Sequence, residues 1–315
     1  MSDEPRAALS SASPSAARAF FAPPPRVAHG LMLLSPALFS SNMVVARATA
    51  DYMPPIALAF WRWAATFLII AAFAGPGLWR ARRRVVAEWR DLVGLGSLGM
   101  GVCGAFVYFG AHTTSGANIG IIYAISPVLI IVLSRLFYGE AMSRHQLAGV
   151  ALAIVGVVAV VARADPAVLA GLSFAAGDFW IFGAAVGWAF YSILLLHRPS
   201  SLGLNERLGG MIFGALVVML PFIVGEALIT GRTPPLEWRT FGWLALLAVV
   251  SSFGSYQVYA LVQRSLGAGR AGLILYLNPL YSAVLAWALL GESIEAYHFL
   301  GAALILPGIW LATHR

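Results

Sequence analysis

Apolar stretches of about twenty residues follow one another along nearly the whole chain, separated by short segments that contain Gly, Pro or Arg. An α-helix needs about 20 mainly apolar residues to cross the hydrocarbon core of a bilayer. We place ten such stretches at residues 30–49, 55–74, 92–112, 117–138, 145–162, 178–197, 208–230, 240–262, 270–290 and 297–313. The pattern predicts an all-α integral membrane protein with ten transmembrane helices.

The chain also repeats itself at a distance of 152 residues. Residues 117–160 and 269–312 share 11 identities in 44 positions without a gap. The identities include Gly120 with Gly272, Pro127 with Pro279, Gly139-Glu140 with Gly291-Glu292, Gly149 with Gly301, and Gly156 with Gly308. Two unrelated apolar segments are not expected to match at Pro, Gly and Glu together, so we interpret the match as an internal repeat.

Each copy of the repeat holds five predicted helices, at residues 29–163 and 177–314. Because five is odd, the second copy must enter the membrane upside down relative to the first. Inverted repeats related by a pseudo-twofold axis in the membrane plane are found in many secondary transporters. We therefore expect two inverted five-helix repeats around a central cavity, preceded by a disordered cytoplasmic tail at residues 1–28.

The composition agrees with a membrane protein, since 60% of the residues are hydrophobic and only 10% are charged. Soluble domains have about 25% charged residues. All 20 basic residues are Arg, and the formal net charge is +7. With the N-terminus inside, fifteen Arg residues fall in cytoplasmic segments and four in outer loops. This asymmetry predicts that both termini are cytoplasmic, and it explains the positive charge without a nucleic-acid partner.

Several short motifs occur in a fixed order along the chain. They are Ser41-Asn42, Pro54-Pro55 followed by Phe60 and Arg62, Ser126-Pro127, Trp188-Ala189-Phe190-Tyr191, Ser255-Tyr256 with Tyr259-Ala260-Leu261, and Asn278-Pro279 with Gly291-Glu292. In their order, spacing and duplication the chain resembles the EamA-type ten-span exporters of the drug/metabolite transporter superfamily, over about residues 30–313. The resemblance implies a basket of helices in a bacterial inner membrane that exports small metabolites. The chain is most similar to amino-acid exporters, including those for aromatic amino acids.

Arg62 is the one Arg placed well inside a predicted helix. A buried Arg costs roughly 2.5 to 3.5 kcal/mol on membrane-insertion scales, and its planar fork suits a carboxylate. We therefore expect it to contact the substrate. Two alternatives stay open: the side chain could reach the headgroups between Trp61 and Trp63, or it could pair with Asp51.

Aromatic and amide side chains inside the predicted helices complete the expected site. Tyr and Trp normally gather at the membrane interfaces, so a group of them at depth indicates the wall of a cavity, although ordinary packing between helices is the alternative. The predicted substrate-binding residues are Asn42, Arg62, Tyr108, Tyr123, Trp188, Tyr191, Ser251, Tyr256, Gln257, Tyr276 and Asn278.

Pro127 and Pro279 lie near the middle of the fourth and ninth predicted helices. A proline removes one backbone donor and crowds the carbonyl four residues earlier, here that of Tyr123 or Leu275. We predict that the two helices are kinked and act as hinges. The alternative is a kink that matters only for packing.

The sequence predicts a transporter that works by alternating access and exports amino acids or similar metabolites. Export or import of other solutes, such as nucleosides, sugars or lipophilic drugs, stays open, and a membrane-embedded lipid enzyme is a distant alternative. No nucleophile–base set, phosphate-binding loop or metal cluster is recognisable, so we expect neither an enzyme nor a cofactor. The expected partners are the substrate and the bilayer, and the oligomeric state stays open. The candidate groups for proton coupling are Asp51, His112, Glu140, Asp178, Glu226 and Glu292.

Overall fold

The computed structural model describes residues 23–49, 52–114, 116–141, 143–173, 175–291 and 293–313. Within these ranges the chain is helical and contains no strand. The helices are α1 Pro25–Thr49, α2 Pro55–Arg80, α3 Trp89–Ala111, α4 Gly116–Tyr123 and Ser126–Tyr138, α5 Arg144–Val161, α6 Ala176–His197, α7 Leu204–Thr230, α8 Trp238–Leu266, α9 Ala268–Gly272, Leu273–Leu277 and Asn278–Leu290, and α10 Ala296–Thr313. Short helices Arg82–Ala87 and Pro166–Ala170 lie in connections.

Eight of the described helices are long and apolar enough to cross a membrane. They are α2 to α8 and α10, with α4 counted from Asn118. The prediction of an all-α multi-pass membrane protein is confirmed. The predicted tail at 1–28 extends too far, because α1 begins at Pro25, and proline is favourable in the first turn of a helix. Residues 1–22, Asp51 and Glu292 lie outside the described residues.

The helices pack around α1, α3, α6 and α8. Helix α1 contacts α8 and α9, α3 contacts α6 and α7, α2 contacts α7, and α4 contacts α6. Large apolar side chains such as Leu68, Phe179 and Phe299 are exposed on the outside. That distribution suits a molecule whose outer surface faces hydrocarbon.

Two π-helical segments interrupt α3 and α8 at Ser97–Val102 and Leu247–Gly254. Shifted by 152 residues, the first segment falls on 249–254, inside the second. A π-helical turn widens the helix locally and is frequent at functional sites. The ring of Tyr191 packs directly against Gly99 in the first segment.

Helices α4 and α9 are broken at equivalent positions. The first part of α4 ends at Tyr123, and Leu273–Leu277 of α9 forms a 3₁₀ turn. Pro127 and Pro279 are each the second residue of the part that follows, where a missing N–H costs no helical hydrogen bond. The prolines therefore lie in the first turn of the second part of each helix rather than in mid-helix as predicted, and their action as hinges stays a prediction.

Helices α5 and α10 pack closely through glycines. A Cβ atom added to Gly149 would lie 2.4 Å from the Gly308 carbonyl oxygen, and one added to Gly156 would lie 3.0 Å from the Gly301 carbonyl oxygen. The sequence repeat pairs Gly149 with Gly301 and Gly156 with Gly308. When each residue is replaced by its counterpart in the other copy, the contact of Gly149 with Gly308 therefore becomes the contact of Gly301 with Gly156.

Candidate substrate-binding site

Three predicted site residues meet between α1, α2 and α3. Arg62 Nη1 donates to Asn42 Oδ1 over 2.7 Å, and Tyr108 Oη donates to the same oxygen over 2.6 Å. Arg62 Nη1 also lies 3.1 Å from Tyr108 Oη. Asn42 therefore fixes one side of the guanidinium group.

Arg62 points into the protein because of its place on α2. The buried face of this helix includes Ala59, Arg62, Trp63 and Thr66, the spacing of one side of an α-helix. Arg62 is 4% exposed, whereas its neighbour Trp61 is 45% exposed. The alternative in which Arg62 reaches the headgroups between Trp61 and Trp63 is therefore wrong.

The charge of Arg62 has no carboxylate partner within ion-pair distance in the part of the chain that the structure describes. Its guanidinium carbon lies 4.7 Å from the centre of the Trp63 ring and 5.9 Å from that of Tyr108. Such cation–π contacts supply part of the lost hydration. The positive charge of Arg62 is therefore available to a bound anion.

An aromatic cluster adjoins Arg62 through Trp63. The Trp63 and Tyr256 ring centres are 4.9 Å apart, and Tyr191 lies 5.7 Å from Tyr256 and 5.3 Å from Trp188. The Tyr256 hydroxyl donates to the Gly99 carbonyl in the π-helical segment of α3. The predicted residues Trp188, Tyr191 and Tyr256 are thus brought together, beside the polar group of Arg62.

Two polar residues of α8 have different roles. The Ser251 hydroxyl lies 2.6 Å from that of Ser41 and links α8 to α1 beside the predicted site. Gln257 donates its amide to Asn205 near the start of α7. Gln257 Oε1 is buried without a partner among the described residues, but no contact joins this side chain to the Arg62 group.

The remaining predicted residues lie at the breaks of α4 and α9. Tyr123 ends the first part of α4 and is half-buried. The Tyr276 hydroxyl and Asn278 Oδ1 are buried and have no partner within the described ranges. Ser126, which the repeat pairs with Asn278, has an unpartnered buried hydroxyl in the same way. Buried polar atoms without partners are unusual, so both breaks offer free hydrogen-bonding groups.

Phe39, Trp63 and Gly104 lie beside the predicted site residues but were not predicted to bind substrate. Trp63 was interpreted only as a neighbour of Arg62 near the headgroups, yet it is fully buried. The period of the buried face of α2 could have identified it. Phe39 lies 5.4 Å from Trp188, and its sequence carries no signal that distinguishes it from other apolar positions of α1.

The central side chains fill the space predicted as a cavity. Trp63, Trp188, Tyr191 and Tyr256 are 0–5% exposed. Two small cavities lie elsewhere, one of about 170 Å³ beside Thr114 and Asn118 and one of about 140 Å³ beside Leu204 and Arg264. Substrate access to the aromatic cluster therefore requires helices to move.

Two candidate acids for proton coupling, Asp178 and Glu226, form hydrogen bonds at helix ends. Asp178 accepts hydrogen bonds from the side chains of Thr114 and Asn118 and from the Ala175 backbone N–H. Glu226 accepts from the first backbone N–H groups of α2, at Ile56 and Ala57, over 2.9 and 2.7 Å. Carboxylates are favourable at helix N-termini, so these contacts explain why both acids are buried.

A buried ionisable side chain between helices that can span a membrane marks a candidate site for a substrate or an ion. Residues 26–162 and 175–313 both match the EamA-like transporter family, and the chain belongs to that family. It is therefore a membrane transporter of small metabolites.

Individual relatives agree with this assignment. An uncharacterised transporter of Bacillus subtilis is 26% identical over 289 residues, covering 90% of this chain and 92% of the relative. A probable amino-acid metabolite efflux pump of Salmonella typhimurium is 26% identical over 296 residues, covering 89% and 93%. A crystal structure superposes with a TM-score of 0.71 at 19% identity, covering 90% of this chain and 95% of the other, so the fold is shared.

Proposed function

We propose that this protein exports amino acids or similar small metabolites from the bacterial cytoplasm by alternating access. The observation that carries the proposal is Arg62, a buried cation with no carboxylate partner among the described residues, beside an aromatic cluster. A substrate with a carboxylate and an apolar side chain matches both features. The name of the Salmonella relative agrees with this substrate class.

We further propose ten transmembrane helices arranged as two inverted repeats. Helices α1 and α9 supply the two spans beyond the eight candidates. Four findings support the repeat: the double family match, the equivalent π-helical segments, the equivalent breaks in α4 and α9, and the exchange of glycine contacts between α5 and α10. In such a pair each repeat can take the conformation of the other, which produces two related access states.

Both termini are proposed to be cytoplasmic, since fifteen Arg residues then lie inside and four outside. Loops at one end of the molecule are joined by Arg84, which donates to the Ser201 carbonyl over 2.7 Å, and by an ion pair of 3.4 Å between Arg198 and Asp91. The positive-inside rule makes this end cytoplasmic.

In this proposal the two groups of side chains divide the substrate between them. Arg62, held by Asn42 and Tyr108, takes the carboxylate, while Trp188, Tyr191 and Tyr256 face the apolar side chain. Ser251, Tyr123, Tyr276 and Asn278 supply hydrogen bonds as the broken helices move about Pro127 and Pro279. Gln257 lies toward the cytoplasmic end and acts on the path rather than at the centre.

Transport of another solute is the second candidate. The ring faces of the aromatic cluster would also accept a nucleobase or a lipophilic drug, because stacking on an aromatic face does not require a carboxylate. Arg62 would have no role in recognising such a substrate. The requirement for a carboxylate therefore distinguishes the two candidate functions.

The test is counterflow in proteoliposomes that contain the purified protein. Labelled threonine, methionine, phenylalanine, a nucleoside and a sugar are each offered outside vesicles loaded with the same unlabelled solute. Trans-acceleration of an amino acid is the expected result. Exchange of only the nucleoside or sugar by folded protein would reject the amino-acid proposal.

A further inference from the structure

Gly104 on α3 faces two N–H donors of α2. A Cβ atom built on Gly104 would lie 3.7 Å from Arg62 Nη2 and 3.7 Å from Trp63 Nε1, with the Ala59 methyl at 3.6 Å. These are ordinary van der Waals distances. A methyl group attached to Gly104 would therefore lie over both nitrogens, which the glycine leaves uncovered on the side of α3.

Both side chains present unpartnered donors although they are buried. Arg62 is 4% exposed and Trp63 is fully buried, and Arg62 Nε and Trp63 Nε1 have no hydrogen-bond partner among the described residues. Among the described residues, the hydrogen bonds of Arg62 to other side chains involve Nη1 alone, with Asn42 and Tyr108 as partners. A buried donor without a hydrogen bond lowers the stability of the protein. Two such donors side by side therefore indicate a ligand-binding site.

The free atoms of Arg62 form one edge of the guanidinium group. Nε and Nη2 point the same way and can donate to the two oxygens of one carboxylate, the bidentate geometry for which Arg is suited. Asn42 holds the opposite side through Nη1 and so fixes the direction of this edge. Trp63 Nε1 adds a third, uncharged donor next to it.

Resting on the proposed function, we propose that the substrate carboxylate binds between the Nε–Nη2 edge of Arg62 and Trp63 Nε1, and that Gly104 keeps these donors uncovered. Glycine is required at this position because the methyl of an alanine would lie 3.7 Å from both nitrogens and would block a carboxylate that approaches them. Gly104 and Trp63 thereby select substrates with a free carboxylate against the corresponding amides. The aromatic cluster beside Trp63 then receives the rest of the molecule.

The test compares Gly104→Ala with Gly94→Ala, which lies on the same helix and has nothing within 4 Å of an added Cβ. Binding of labelled phenylalanine to each purified variant is measured in competition with unlabelled phenylalanine and phenylalaninamide. The wild type and Gly94→Ala should prefer the acid by about tenfold or more, the range of one or two hydrogen bonds to a charged group. Gly104→Ala should lose most of that preference, with an unchanged unfolding temperature because the added methyl clashes with nothing.

Three results would overturn parts of the account separately. If phenylalanine is bound and exchanged but Gly104→Ala keeps the acid preference, the carboxylate position is wrong and the transport function stands. If no amino acid is bound or exchanged by folded wild type, the proposed function itself fails. Asp51→Asn should leave binding unchanged; tighter phenylalanine binding in this variant would show that Asp51 occupies the free edge of Arg62 and would reject the subsite.

Discussion

Arg62 affects stability and recognition in opposite directions: its charge, unpaired among the described residues, destabilises the fold but can bind an anion. A buried charge without a counter-ion destabilises the fold, and here hydrogen bonds to Asn42 and Tyr108 and the ring of Trp63 offset only part of that cost. The remaining deficit is what a bound anion would supply. A site that binds an anion tightly is therefore expected to be less stable when empty.

Replacing Asn42 by Asp tests this trade-off directly. The change keeps the shape of the side chain and places a carboxylate 2.7 Å from Arg62 Nη1. We expect the unfolding temperature in detergent to rise, because the buried charge of Arg62 gains a partner. Amino-acid counterflow should fall by about tenfold or more, because the new carboxylate competes with the substrate for Arg62. Normal counterflow by the more stable variant would contradict the role of Arg62.

Glu88 provides a pH-dependent contact at the proposed cytoplasmic end. It accepts hydrogen bonds from Ser200 Oγ over 2.5 Å and from the Ser201 N–H over 2.8 Å. Burial alone would raise the pKa of Glu88, but these hydrogen bonds outweigh burial and lower the pKa below its ordinary value of 4.5. Stability from this group is therefore present above pH 4.5 and is lost as the pH falls through the lower, folded-state pKa.

Glu88→Gln should remove that dependence. The unfolding temperature of the wild type should fall more steeply than that of the variant as the pH decreases below 4.5, because only the wild type takes up a proton at this position. The difference is small, since the carboxylate is partly exposed and screened by solvent. Parallel curves for the two proteins through this range would show that the hydrogen bonds do not affect the ionisation of Glu88.

At the level of elements, the breaks in α4 and α9 are the sites at which the helices can bend with least loss. Backbone hydrogen bonding is already irregular between Tyr123 and Ser126, and the 3₁₀ turn of α9 ends directly before Asn278. The π-helical segments of α3 and α8 face the same central region through Gly99 and Ser251. Interruptions at equivalent places in two copies are typical of transporter sites.

Alanine at both Pro127 and Pro279 should reduce transport more than membrane insertion. Alanine restores an N–H at each break and favours a continuous helix, so the bend needed for alternation becomes less accessible. Counterflow rates are compared with the amount of folded protein in the membrane, and Pro221→Ala in α7, which lies at no break, is the control. Equal losses of transport and insertion would reject the hinge.

At the level of the whole molecule, the sequence predicted most of what depends on periodicity. The apolar stretches predicted the helices, and the repeated prolines Pro127 and Pro279 predicted the interruptions of α4 and α9. Arg62 was identified because a charge in an apolar run is rare. These features are local or are repeated in the chain, and so they can be seen without coordinates.

What the sequence could not supply depends on how distant segments face each other. Gly104 faces Arg62 and Trp63 only because α2 packs against α3 at this point. The separation of Gln257 from the Arg62 group follows from its hydrogen bond to Asn205, 52 residues away in the chain. The π-helical turns likewise left no recognisable pattern, because one extra residue per turn does not change an apolar run.

The most direct test of the central claim is counterflow of labelled phenylalanine, methionine and threonine by Arg62→Gln. Arg232→Gln is the matched control, because Arg232 is exposed and its side chain makes no hydrogen bond or ion pair among the described residues. We predict that the control exchanges amino acids like the wild type, whereas Arg62→Gln loses about tenfold or more, because a neutral amide cannot replace the charged fork. Undiminished exchange by correctly folded Arg62→Gln would contradict the claim that this buried arginine binds the carboxylate of a transported amino acid.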